Sequence, residues 1–237
     1  MRILKNLLGW VRLFGIQQII RIIQYSILSS WKKLHLRISS RRTGKPVRNK
    51  PGELTGIEAT IGGVRCRFEN AALNIDFLSS DMARINWEPG QIPYPYAIEK
   101  KDWGKVHVTL VENNATWQLT SPAVRINIGR DGSLKFLSTT GQLMRQEFAP
   151  EMIGETDNPG WISHQKLRQE ECLYGLGEQT GPLNLRGTSH RMWNTDPRGG
   201  YGPGVDPIYM PLPVYMSVHE GGSYLVFYEN TFPAIFD

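Results

Sequence analysis

The residue types best suited to recognising a ligand are gathered in one stretch, Arg191-Met192-Trp193-Asn194-Thr195-Asp196-Pro197-Arg198-Gly199-Gly200-Tyr201. It combines a large aromatic, a carboxylate and a Gly-Gly pair. That mixture suits a sugar. An aromatic face packs on the apolar side of a pyranose, and a carboxylate accepts hydrogen bonds from adjacent hydroxyls. The competing account, which residue types alone favour, is a surface loop with Trp193 in the core and Asp196 as a turn residue. A second stretch, Tyr174-Gly175-Leu176-Gly177-Glu178-Gln179-Thr180-Gly181, invites comparison with a phosphate-cradling loop. Its Gly-x-Gly-x-x-x-Gly spacing misses the dinucleotide fingerprint by one residue, and no Gly-Lys-Ser/Thr follows. A nucleotide site is not expected.

Other chemistries find less support. His35, His107, His164, His190 and His219 are scattered, with no spacing that a zinc or iron site would use. No metal and no cofactor are expected. Gly-x-Ser-x-Gly is absent, and no Ser-His-Asp order stands out. Cys66 and Cys172 lie far apart and read as two reduced, buried thiols in a cytoplasmic protein rather than as a disulfide framework. Asn114-Ala115-Thr116 matches the glycosylation sequon, which matters only on a secretory route.

The elements that must carry these residues read as strands. From Leu54 onward apolar positions alternate: Val64, Cys66 and Phe68; Leu73, Ile75 and Phe77; Ile85 and Trp87; Val106, Val108 and Leu110; Val124, Ile126 and Ile128. Strands of this kind bury one face and wet the other. Arg130-Asp131-Gly132-Ser133 and Glu220-Gly221-Gly222-Ser223 separate apolar runs as hairpin turns do. The 24 Gly and 15 Pro fit a turn-rich chain. Short strands without interleaved helices predict a mainly β protein, an antiparallel β-sandwich, over 54–237.

Residues 1–50 differ. They hold 12 of the 27 Lys/Arg and no Asp or Glu, which leaves 15 basic against all 22 acidic residues, a net of −7, in the other 187. The overall charge of +5 therefore describes an arm, and nucleic-acid binding is not expected of the whole. Arg12 and Arg21 interrupt residues 3–28, so they read neither as a membrane span nor as a signal peptide. Ile3, Leu4, Leu7, Leu8, Val11 and Phe14 form one apolar stripe; Ile16, Ile19, Ile20, Ile23 and Ile27 form a second. The spacing predicts an N-terminal amphipathic helical arm over 1–38, either one helix kinked near Gly15 or two short helices. It serves either as a basic anchor at an anionic membrane surface or as an arm packed on protein. Residues 39–53 read as a polar, turn-rich linker.

The ordered blocks Tyr174-Gly175-Leu176-Gly177-Glu178, Leu183-Asn184-Leu185-Arg186-Gly187, Met192-Trp193-Asn194-Thr195-Asp196, Pro207–Val214 and Gly222–Asn230 with Phe236-Asp237 resemble glycoside hydrolase family 31, the α-glucosidases and α-xylosidases. The likeness is specific over 174–237, looser over 54–173, and does not extend to 1–50. It implies a galactose-mutarotase-like sandwich that precedes a (β/α)8 barrel. The barrel would supply the two catalytic aspartates of retaining hydrolysis of α-glycosidic bonds. The family's Trp-x-Asp-Met-Asn nucleophile motif is not found in 1–237, so no catalytic residue is assigned, and the chain reads as a portion inactive alone. The resemblance also implies that a loop of the sandwich lends an aspartate to the substrate's hydroxyls. Asp196 is the matching position, although Thr195 stands where the family often has Arg. Arg198 is a candidate replacement for that arginine. Glu178 is expected to bond the backbone of a tight turn. The partner implied is an α-glucoside bound through the barrel. The alternatives are a non-catalytic carbohydrate-binding module and a peripheral membrane protein held by the arm; the oligomeric state is not read.

Overall fold

The computed structural model describes residues 15–18, 20–21, 24–28, 31, 47–90, 97–100, 102–114, 116–154, 160–197, 199 and 201–237. The chain divides into two units, residues 1–47 with 154–158 and residues 48–153 with 159–237. In the first, every described residue between 16 and 31 is helical, and Gly15 before them has φ +74°.

The strands run β1 (Val47–Asn49), β2 (Leu54–Thr60), β3 (Gly63–Phe68), β4 (Ala72–Ser79), β5 (Met82–Glu88) and β6 (Thr109–Asn113). They continue as β7 (Thr116–Thr120), β8 (Val124–Gly129), β9 (Leu134–Ser138), β10 (Leu143–Glu147), β11 (Glu151–Gly154) and β12 (Gly160–Ile162). The last are β13 (Cys172–Gly177), β14 (His190–Met192), β15 (Pro211–His219), β16 (Gly222–Phe227) and β17 (Ala234–Phe236). They form sheets in the orders β2-β3-β4-β5, β10-β9-β8-β7-β6, β13-β15-β16, β14-β17 and β1-β11-β12.

The first two sheets enclose the main core. Cys66 pairs with Leu73 and Val64 with Ile75, so these side chains share one face. Val64, Cys66, Phe68, Leu73, Ile75 and Phe77 pack against Leu119, Ile126, Ile128 and Leu134 from the facing sheet. Each fully buried aliphatic stabilises the fold by roughly 1.5–3 kcal/mol. The expected alternation is present, and the outward Arg67 and Glu69 are exposed. The Asp-Gly hairpin is also present. Gly132 has φ +89°, and Asp131 Oδ1 accepts the Ser133 N–H at 3.0 Å.

A second, smaller core joins β13-β15-β16 to β14-β17. Leu176, Leu185, Met192 and Tyr215 are buried there, with Leu173, Tyr224, Val226, Tyr228 and Phe236 around them.

Three expectations change. Of the linker expected over 39–53, residues 39–46 lie outside the described residues, Val47–Asn49 is strand and Pro51 is fully buried. The Glu53 N–H is bonded to Glu69 Oε2 there. Val106 and Val108 pack on the main core but precede β6. Cys66 is buried, whereas Cys172 is only half-buried; both thiols are free.

Candidate functional site

The Gly-rich motif makes a bulge rather than a nest. The β13–β15 pairing shifts register between Gly175 and Gly177. Leu176 takes φ +60° and sinks into the second core. A side chain at Gly177 (φ +80°) would lie 2.1 Å from the Met210 carbonyl oxygen, so only glycine permits this approach. The bulge fixes a landing point for the long β14–β15 segment, since the Glu178 N–H donates to Met210 O at 2.9 Å. The side chain that ties the turn is Gln179, whose Nε2 donates to Leu176 O at 3.0 Å. The expected role of Glu178 is thus corrected: its backbone is bonded while its side chain is exposed. A carboxylate has no N–H to give the turn's carbonyls, and the neighbouring amide does.

The other end of that segment is held by β14, which pairs with β17 through His190↔Phe236 and Met192↔Ala234. Asp206 reaches back to accept the Arg191 N–H at 2.8 Å, and Thr195 N–H donates to Ile208 O at 3.0 Å. His190 is buried, with Nε2 2.7 Å from Thr188 Oγ1 and Nδ1 3.7 Å from Asp206 Oδ1.

Asp196 is exposed on this segment, and the Tyr209 hydroxyl donates to its Oδ1 at 2.8 Å. The Tyr209 ring lies 6.0 Å from that of Tyr201. Hydrogen bonding with Tyr201, and then with Asp196, holds the Tyr209 phenol above its ordinary range, so it is a neutral donor at physiological pH. Trp193 is 48% exposed, so it is not the core residue of the bland account. One carboxylate, a phenol fixed against it and three exposed aromatic rings are therefore carried by one segment. Such a set can accept hydroxyl donors and cover apolar ring faces. Arg198 lies outside the described residues.

Around the second core stands a buried polar network. Glu171 Oε1 accepts Ser217 Oγ–H at 2.6 Å and Tyr224 O–H at 2.8 Å, and Oε2 accepts the Arg168 N–H at 2.9 Å. Burial raises the Glu171 pKa. The Ser217, Arg168 and Tyr224 bonds and nearby His219 outweigh it, so the carboxyl stays below its ordinary range. Arg145, also buried, bonds Glu147 at 2.6 Å and the Tyr215 hydroxyl, with its guanidinium 5.4 Å from the Tyr224 ring centre. Burial works against its charge, but Glu147 prevails and keeps it cationic. Sequence reading found neither group, because an isolated Glu or Arg reads as solvated. Tyr209 was missed as well: its contact with Asp196 exists only once the segment folds back.

The outer face of β13-β15-β16 is apolar. Met216 pairs with Leu225 and Tyr174, so the three share that face. Leu212, Met216, Val218 and Leu225 are 51%, 41%, 36% and 65% exposed. Among the described residues no group of three or more His, Cys, Asp or Glu is placed to hold a metal ion.

Comparison with known proteins agrees with this architecture. Residues 72–237 match the family model described as the glycosyl hydrolase 31 N-terminal galactose mutarotase-like domain. The chain is 28% identical to alpha-glucosidase 2 of Bacillus thermoamyloliquefaciens over 173 residues, 71% of this chain and 22% of that protein. It is 32% identical to an alpha-glucosidase of Saccharolobus solfataricus over 76 residues, 32% of this chain and 11% of the relative. In fold it is similar to the Flavobacterium johnsoniae GH31 dextranase in complex with isomaltotriose. The TM-score there is 0.65 at 23% identity, over 79% of this chain and 23% of the dextranase. The chain thus spans less than a quarter of the length of each of these three relatives. The match over residues 72–237, more than half of the chain, leads to one assignment: the chain belongs to the glycoside hydrolase 31 family, as its N-terminal galactose-mutarotase-like domain.

Proposed function

We propose that this domain completes the sugar site of an α-glucosidase-like retaining glycosidase and does not itself cleave. The observation that carries the proposal is the apolar outer face of β13-β15-β16, which adjoins the bulge that lands the Asp196 segment. An antiparallel sheet with one solvated face normally alternates to polar residues outside. Here Leu212, Met216, Val218 and Leu225 occupy that face. A large exposed apolar patch marks a surface made for a partner. Its proposed occupant is the catalytic barrel of the same polypeptide, since the matched relatives are several times longer than this chain.

In this arrangement Asp196 accepts hydrogen bonds from substrate hydroxyls at the barrel mouth, and the ring faces of Trp193 and Tyr201 border the sugar. The substrate class is an α-glycoside, by analogy with the alpha-glucosidase relatives and the isomaltotriose-bound dextranase. The functional domain is residues 54–237 with β1 and Pro51 added at its start. The free thiols, one buried in β3, suit a reducing, cytoplasmic setting. Residues 1–38 would be a second point of contact, at a membrane surface.

The test is turnover of a chromogenic α-glucoside by the full chain, paired with calorimetric titration of maltotriose. Neither hydrolysis nor saturable binding at millimolar sugar is expected. Hydrolysis would overturn the claim that the reaction needs groups outside this domain. Saturable binding lost in Asp196→Ala would replace it with a self-sufficient carbohydrate-binding module.

A further inference from the structure

The described residues between 16 and 31 are helical, yet their large apolar side chains are not covered. Ile16, Ile20, Tyr25, Ile27, Leu28 and Trp31 are 63%, 48%, 61%, 55%, 62% and 63% exposed. Read as a helical pattern of the sequence, at about 100° per residue, Ile16, Ile20, Ile27 and Trp31 fall within a sector of about 60°, with Leu28 about 60° and Tyr25 about 120° beyond it. Those four thus form one apolar stripe of the sequence pattern. Arg21 stands off that stripe, about 100° around the helix from Ile20, and is exposed.

We infer that this helix lies on an anionic lipid surface, with the Ile16-Ile20-Ile27-Trp31 stripe entering the headgroup–acyl boundary. The inference concerns the arm alone and is independent of the sugar site. Charge selects the occupant. Residues 1–50 carry 12 Lys/Arg and no acidic residue, with Lys32 and Lys33 directly after Trp31. A protein groove covering this helix would need carboxylates of its own to match the cations that flank it. A leaflet of anionic lipid supplies diffuse negative charge at no such design cost. Nucleic acid would also satisfy the charge, but it offers nothing to four aligned apolar side chains. Among the described residues no helix is long and apolar enough to cross a membrane, so the geometry points to a helix in the interface plane. Trp31 at the end of the stripe, followed by two lysines, has the amphipathic character that interfacial segments use.

The experiment is vesicle flotation of the full chain, with phosphatidylcholine vesicles and with vesicles containing about one-third phosphatidylserine. Flotation is expected with the anionic vesicles only and should fall steeply between about 0.1 M and 1 M salt. The variant Ile16→Ser/Ile20→Ser/Ile27→Ser keeps every charge. It is expected to float at least about tenfold less, with the near-ultraviolet dichroism of the sandwich unchanged. Flotation of the variant equal to that of the unaltered chain would overturn the inference, because charge alone would then explain binding. So would absence of flotation on anionic vesicles. Tighter binding to duplex RNA than to those vesicles, insensitive to the three substitutions, would assign the arm to nucleic acid instead.

Discussion

Replacing Glu171 by Gln tests how the second core is held. The side chain is 1% exposed, with two donors on Oε1 and two on Oε2, the Arg168 N–H and, at 3.5 Å, the Arg168 guanidinium. A glutamine of the same shape has one acceptor oxygen and one NH2 group. If its oxygen takes the Oε1 position, the NH2 faces the Arg168 N–H, donor against donor. If it flips, the NH2 faces the Ser217 and Tyr224 hydroxyls, which must both turn away. At least one charge-assisted bond is lost and one buried donor is stranded. At about 1.5–3 kcal/mol for a bond to a charged group, the expected loss is about 2–4 kcal/mol at pH 7. Urea unfolding followed by tryptophan fluorescence should show it as a midpoint lowered by about 1–2 M. The pH dependence is the sharper signature. Glu171 has a folded-state pKa below its ordinary 4.5, so its ionised form contributes stability in full above that value. The contribution is lost as pH falls through the folded-state pKa. The gap between wild type and variant should thus be constant from pH 7 down to about 5 and narrow below about pH 4.5. Other carboxylates titrate in both proteins and cancel in the difference. A gap under about 0.5 kcal/mol at pH 7, or one unchanged at pH 3, would refute the assignment of an ionised, bond-holding Glu171.

Three further outcomes are expected. Gly177→Ala should lower stability by about 3 kcal/mol or more, since it adds both a positive-φ penalty and a clash with Met210 O. Gly181→Ala, with open space around it, should stay within about 0.5 kcal/mol; equal melting temperatures would discount the bulge. Burial pushes the Cys66 thiol up to about 12, so a disulfide-exchange reagent at pH 8 should label Cys172 alone until denaturant is added. Rapid labelling of both thiols in the native protein would contradict the packing of β3. Met216→Lys with Leu225→Lys should leave thermal stability within about 1 kcal/mol while reducing self-association and dye binding at the outer face. A severe loss of stability would mean those side chains are core.

Much of the sandwich was legible because its signal is local. Cys66, Leu73 and Ile126 are recognisable from a two-residue period, and burial on one face is what produces that period. The short strands carried no such signal. Val47-Arg48-Asn49 has one apolar residue, and β14 and β17 are three residues each, held by pairing with distant partners. The same holds at the candidate site. Asp196 was legible as a position because its motif is contiguous. Tyr209, thirteen residues away, becomes relevant only through a fold-back fixed by the glycine bulge. Glu171 and Arg145 were invisible because burial of a charge is decided also by partners drawn from β15 and β16, which neighbours in sequence do not reveal.

The manner in which the Asp196 segment is attached also bears on how such proteins change over time. Its two ends are secured chiefly through main-chain bonds, by β14 on β17 at one end and by Glu178 N–H to Met210 O at the other. Main-chain bonds are indifferent to side-chain identity. Residues between Pro197 and Val205 can then be lengthened, shortened or rewritten while Asp206, which accepts the Arg191 N–H, and the take-off and landing points stay in register. The domain works as a fixed mount with an exchangeable tip, and grafting alternative tips between those anchors is the natural way to retune what the mount presents.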